Sequence, residues 1–312
     1  MNYSAHCPLC GVETGDVLAS ELRRGTGIVF HCADCDLGFL IQESPFDAKA
    51  HYAGPYREAA SPRAEGGATN PREIFETYSP HQGDRLKLIA PFLRPDSSVL
   101  ELGASAGQFL AHLEGRCARR CAIELDPACC YYLENRGIEA DVDLLRGSKF
   151  FRETFDLVVA FQTLEHVEDP VGFLSDIKVV MARGAVAVVE VPNLNDALLS
   201  AWGLEEYRKF YFHADHRFYF TEKSLRIVAQ RAGFEKARVH YSQDYNLVST
   251  INWLMNRVPQ PTCHPGLSRI KFEGKDAPLA RWLSTKMNLL SDEYADWLAR
   301  SVSSSNITLI LS

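Results

Sequence analysis

Residues 99–109 read VLELGASAGQF, and this stretch decides the fold. Val99, Leu100 and Leu102 make a short apolar strand interrupted by one acid, Glu101. Gly103-x-x-x-Gly107 then opens a turn where the backbone can take φ > 0 or pass close to a ligand. The carboxyl end of such a strand is where open α/β sheets bind ligands. The spacing is neither the dinucleotide fingerprint G-x-G-x-x-G nor a phosphate loop, since no GK[ST] follows. Phe109–Leu113 reads as the start of a helix.

Outward from there, strand and helix patterns alternate, as an α/β sheet requires. Residues 120–125 (RCAIEL) form a second strand, Cys129–Asn135 a helix, and 138–142 a short third strand. Residues 155–161 (FDLVVAF) are the fourth strand, Val171–Val180 a helix, and 185–191 (AVAVVEV) the fifth strand. The fifth lacks alternation, which fits burial on both faces. Ser224–Gly233 is a helix, Phe234–Tyr241 a sixth strand, and 306–311 (NITLIL) a seventh. Residues of about 242–300 separate the sixth strand from the seventh as an insertion. That insertion suits substrate selectivity, a lid or a homodimer contact.

Glu124 ends the second strand, 21 residues beyond Gly103. An acid there can accept both hydroxyls of a ribose; it can equally help cap the helix that follows. Asp143, or its neighbour Asp141, is placed to reach a base from the third strand.

Ahead of this region lie Cys7-Pro-Leu-Cys10 and Cys32-Ala-Asp-Cys35, with 21 residues between the pairs. Two such knuckles complete a tetrahedral four-thiolate site, best suited to structural Zn2+ in a reducing compartment. Four thiolates leave no open position for a substrate. His6 and His31 adjoin the pairs but are not needed as ligands. The expected organisation is a zinc ribbon over 1–42, a linker and helical lead-in over 43–98, and the main α/β domain over 99–312 with the insertion of about 242–300. In the linker, a short helix is expected around Phe46–Tyr52, and His51, Tyr52 and Tyr56 form an aromatic cluster able to fold over a site. Pro71–Phe92 reads as helix interrupted near Ser79-Pro80.

The 312 residues, 46% of them hydrophobic, can build a full core. A net charge of -7 provides no general attraction to nucleic acid or anionic membrane. No run is long enough for a membrane span, and the first residues lack a secretory layout, so a cytoplasmic location is expected.

VLELGASAGQF, AIELDP and FDLVVAFQTLEHVEDP, in that order, resemble the class I S-adenosylmethionine-dependent methyltransferases. The likeness spans about residues 71–240 and implies a Rossmann-like seven-stranded sheet whose seventh strand, 306–311, is antiparallel, and S-adenosyl-L-methionine as cofactor. It implies that Glu101, Gly103, Ala104 and Gly107 follow the methionine part, Glu124 and Leu125 the ribose, and Asp143 the adenine. Phe161 and Gln162 complete the cofactor set, and the LEHVEDP block lies beside the donor methyl. The ribbon, together with Phe212-His-Ala-Asp-His-Arg-Phe-Tyr-Phe-Thr221, also resembles the methyltransferases of nucleotide-linked deoxysugars. There a histidine serves as base for C-methylation beside a keto group. That likeness points to His216 as base with Asp215 beside it, and His166 as a second candidate. Ala214 stands where that group carries its first histidine, and the group's extra C-terminal domain has no counterpart here. Other readings are O- or N-methylation of another metabolite, an RNA methyltransferase, which the acidic balance disfavours, an NAD-dependent enzyme, and a non-enzymatic ribbon scaffold.

Overall fold

The computed structural model describes residues 3–42, 47–54, 56 and 69–312. Seven strands form the main sheet: β1 Ser98–Leu102, β2 Arg119–Ile123, β3 Glu139–Asp141, β4 Phe155–Phe161, β5 Met181–Pro192, β6 Ala237–Ser242 and β7 Asn306–Leu311. Their order is β3-β2-β1-β4-β5-β7-β6. β7 runs antiparallel to both neighbours, with Leu311 opposite Ala187 on β5 and Ala237 on β6, and the remaining pairs are parallel. This is the expected Rossmann-like seven-stranded sheet.

Alternate residues feed two cores. Leu100, Val158, Ala160, Val189 and Leu309 face one layer with the helices Pro170–Val179 and Glu222–Arg231. Val99, Leu157, Val159 and Val188 face the other, against Ile89, Leu110 and Leu133. Every β7 residue is buried, so no polar-apolar alternation is written into it. Helix starts follow local chemistry. Asp126 and Asp169 each cap a helix whose first residue is proline, and Thr221 with Ser224 forms a reciprocal capping box.

Several boundaries differ from expectation. The helix after the glycine turn is a single 3-10 turn, Leu110–Leu113, and the chain leaves it through left-handed Gly115. β6 begins at Ala237, because Phe234 is spent as a buried turn residue. β5 begins earlier, at Met181, with an irregularity before Val186. In the linker, Ala48–Tyr52 is helical and Phe46 lies outside the described residues. The insertion contains Leu247–Asn256, His264–Leu267 and a 24-residue helix, Ala277–Arg300.

The ribbon is welded to the catalytic sheet. Its strands Val17–Ala19, Ile28–Cys32 and Leu37–Ile41 are extended by Phe218–Tyr219 from the main chain body. Cys7, Phe30, Leu37 and Phe39 belong to the same core as β1 and β4. Gly25 is the closest approach: it is left-handed, and a Cβ there would lie 2.4 Å from that of Ala214. Arg23 N donates to Phe212 O and Ala214 N to Arg24 O, at 2.9 and 3.0 Å. The ribbon therefore fixes the backbone just before Asp215 and His216.

Candidate active site

The ends of β1, β2, β4 and β5, the helix Ala48–Tyr52 and the insertion surround one cavity of about 1450 Å3. A single small-molecule ligand fills roughly 300–1,000 Å3, so two ligands fit side by side.

One end is built on the glycine turn. Gly103 and Gly107 have φ of 73° and 75°. A Cβ on Gly103 would lie 2.4 Å from Thr163 Oγ1, which is held by the Leu102 and Phe161 carbonyls at 3.1 and 3.2 Å. Glu124 is buried, and its two oxygens accept from Ser105 N (2.6 Å) and Asp126 N (2.9 Å). The two amides orient the carboxylate at the end of β2. Gln108 also lines the cavity, and its buried Oε1 has no hydrogen-bond partner. Asp143 faces the cavity and pairs with Lys49 at 2.5 Å, which holds its carboxyl below the usual range. Asp141 is instead occupied by Ser148 Oγ and Lys149 N.

Of the expected cofactor residues, Gly103, Glu124, Leu125, Asp143, Phe161 and Gln162 line the cavity. Glu101, Ala104 and Gly107 lie behind it. Glu101 is buried, and burial pushes its carboxyl up to about 8. Gln162 Nε2 donates to Glu190 Oε1 and Asn306 Oδ1, both at 3.2 Å. Glu190 in turn holds Arg85 at 2.5 Å, and that guanidinium lies over the Phe161 ring. Composition gave no sign of the Arg85–Glu190 pair, because its members come from distant segments.

The donor set suits S-adenosylmethionine. A buried carboxylate fixed at the end of β2, a glycine turn packed too closely on Thr163 to carry a Cβ and an orphaned acceptor fit a ribose diol and a methionine ammonium.

The other end is a histidine cluster, His213 buried and His166 and His216 mostly enclosed. His166 and His216 both face the cavity, their rings 4.7 Å apart and nearly perpendicular. His213 packs on His216 at 3.9 Å. Burial, with the neighbouring imidazoles, pushes His166 down to about 4 and His216 well below its ordinary value, and burial with the Arg23 and Arg24 charges pushes His213 down to about 4. All three are neutral at pH 7. Glu165 is 1% exposed; burial pushes it up to about 8, and its Oε1 is 3.8 Å from His166 Nε2 and 4.0 Å from His216 Nε2.

Asp215 does not line the cavity. It lies behind the histidines, with His51 at 3.1 Å, Arg24 at 2.8 Å and His213 at 3.3 Å. Burial alone would raise its carboxyl, but His213 and Arg24 hold it well below the usual range. The Tyr52 hydroxyl is 2.7 Å from His166 Nδ1, which is also 2.9 Å from Asp215 O. His51, Tyr52 and Tyr56 thus form a wall against His166, the cluster visible in the sequence.

In the ribbon, Cys7 Sγ lies 3.5 Å from Cys35 Sγ and Cys10 Sγ 3.4 Å from Cys32 Sγ. All four sulfurs fall within 4.8 Å of one another, and every cysteine of the chain is a free thiol. Four bonds of about 2.3 Å to Zn2+ need this compact arrangement. His31 is held between Asp16 and Asp36 at 3.0 and 2.9 Å and stays outside the cluster.

Residues 72–239 match the family model described as a methyltransferase domain. Among curated proteins none matches the chain. A chain from the Haloferax volcanii complex of the Trm112 methyltransferase activator is 13% identical, with 86% of this chain and 98% of that one covered, and superposes with a TM-score of 0.52. A SAM-dependent methyltransferase from Archaeoglobus fulgidus is 15% identical over 77% of this chain and 96% of its own (TM-score 0.49). One from Thermotoga maritima is 16% identical over 77% and 99% (TM-score 0.45). At such identity the Haloferax likeness speaks for the fold alone. Among the described residues, no helix is long and apolar enough to cross a membrane. The family match covers the strands that carry the glycine turn, Glu124 and the histidine block: the chain belongs to the methyltransferase-domain family and is an S-adenosylmethionine-dependent methyltransferase with a four-cysteine site able to hold a metal ion such as Zn2+.

Proposed function

We propose that the acceptor is a nucleotide-linked sugar or related carbohydrate metabolite, methylated at carbon with His216 as the base. The observation that carries this reading is the neutral, mostly enclosed His216 imidazole facing the cavity beside buried Glu165 and His166. When bound, S-adenosylmethionine supplies an activated methyl on a sulfonium. Glu124 orients the ribose, Gly103 admits the methionine part and Asp143 meets the adenine. Carbon acceptors need a proton removed before their electron pair can attack, and a neutral imidazole is suited to remove it.

His216 would take the proton from the carbon beside a carbonyl, and the electron pair left there would form the new bond to the methyl carbon as the sulfur–methyl bond breaks, its pair staying on sulfur. Glu165 Oε1 lies 4.0 Å from His216 Nε2, and the imidazolium formed when that proton arrives draws the neutral carboxyl toward its ionised form. His166 is oriented through Nδ1, which donates to Asp215 O and leaves Nε2 unprotonated. Asp215 acts through others: by pairing with Arg24, His51 and His213 it holds the loop that carries His216.

The test is mass spectrometry of nucleotide-sugar pools incubated with enzyme and S-adenosylmethionine, run on wild type and His216→Ala. A mass gain of one methylene on a keto-sugar nucleotide is expected, falling about a hundredfold or more in the variant with cofactor binding retained. Unchanged turnover in the variant removes His216 from the mechanism. Methylation at oxygen or nitrogen of another metabolite removes the sugar C-methylation reading.

A further inference from the structure

We infer that the helix Ala277–Arg300 pairs antiparallel with the same helix of a second copy of this chain, across a twofold axis between Leu289 and Leu290. One face of this helix is already used. Ser291 and Leu298 are buried, Ser291 Oγ accepts from Leu247 N at 3.0 Å, and the helix lies on Leu247–Asn256. The opposite face is apolar and uncovered: Leu279, Trp282, Leu289, Leu290 and Trp297 are 58%, 57%, 52%, 49% and 55% exposed.

At about 100° per residue these five fall within an arc of roughly 120°. They are not scattered surface residues. Together they present apolar area on the order of 600 Å2 per copy, against the roughly 800 Å2 per partner of a standard interface. Flanking polar atoms supply the remainder, and the expected affinity is modest.

The charges on this stripe identify the occupant. Lys286 and Glu293 sit on the same arc, both exposed. They are seven residues apart, about 10 Å along the axis, too far to pair within one helix. Reversing a second copy about the Leu289–Leu290 midpoint places its Glu293 opposite Lys286 and its Lys286 opposite Glu293. The same operation brings Trp282 against Trp297 of the second copy, and Leu289 against Leu290. A face that matches itself under a twofold is the requirement for an isologous dimer. A membrane surface fits less well, because Glu293 lies within the stripe and Asp292 and Asp296 beside it, on a chain of net charge -7.

The experiment is sedimentation velocity on the full-length, zinc-loaded protein from about 1 to 100 μM, a range that brackets a modest interface. The expected species has twice the 35.0 kDa chain mass. Lys286→Glu and Glu293→Lys each put two like-charge pairs into the interface and are expected to weaken it about tenfold or more. The double variant K286E/E293K restores opposite charges and should return to within about threefold of wild type. Both positions are exposed, so circular dichroism is expected to be unchanged in every variant. A single monomeric species across the range overturns the inference. So does a charge-swap variant no tighter than the singles, or a monomer that sediments with phosphatidylglycerol-containing vesicles.

Discussion

Gly103→Ala probes the part of the site that the glycine turn builds. The residue has φ of 73°, where a side chain costs about 1–2 kcal/mol. The added Cβ also meets Thr163 Oγ1 at 2.4 Å and Cγ2 at 3.0 Å. Thr163 cannot turn away without losing its hydrogen bond to the Leu102 or Phe161 carbonyl, worth about 1 kcal/mol. The combined penalty is about 2–3 kcal/mol, shared between folding and displacement of the turn. Displacement alone should weaken S-adenosylmethionine by about ten- to a hundredfold, at 1.4 kcal/mol per tenfold. Gly184→Ala is the control: its φ is 81°, it is exposed, and nothing lies within 4 Å of its added Cβ. It should cost about 1–2 kcal/mol of stability and leave affinity unchanged. Calorimetric titration and thermal denaturation of both variants separate the two terms. If the Gly103 variant binds as wild type does and melts with the control, the close packing of turn and Thr163 does not shape the site.

Other consequences follow from the buried charges and the ribbon. Glu165 has a folded-state pKa raised to about 8 against 4.5. Its protonated form therefore favours folding fully below 4.5, and that contribution is lost as pH rises through about 8. Chemical denaturation at a series of pH values should show Glu165→Gln becoming more stable relative to wild type by a few kcal/mol between pH 4.5 and 8; a pH-independent difference would contradict the burial argument. His166 and His213 act in the opposite sense. Their folded values near 4 against 6.5 mean that stability present above 6.5 is lost as pH falls toward 4. In the His213→Gln variant this acid loss should be smaller, a difference readable in the same titration. Chelation of Zn2+, or Cys10→Ser, should lower the melting temperature of the whole chain rather than release a separate unit, because the ribbon shares the main core. Two separate calorimetric transitions would show the ribbon to be independent.

Much of this architecture was legible in residue order. β4 and β7 were bounded to the residue, since dense β-branched runs flanked by charge or turn residues admit little else. Glu124 was found by its distance from Gly103, and the Cys pairs by ligand spacing. What stayed hidden was long-range. Phe218–Tyr219 completes the ribbon sheet through pairing with Gly38 and Phe39, and no local pattern announces a two-residue strand. Arg24 reaches Asp215 only because Gly25 lets the ribbon loop lie against Ala214. The length of Ala277–Arg300 was also missed, because its apolar residues split between two faces and blur the helical period.

The most direct test of the central claim is calorimetric titration of the zinc-loaded protein with S-adenosylmethionine, S-adenosylhomocysteine and NAD, repeated on Glu124→Ala. The account predicts one site per chain for the first two ligands, a large loss of affinity in the variant, and no heat with NAD. Binding of NAD with indifference to S-adenosylmethionine would contradict it.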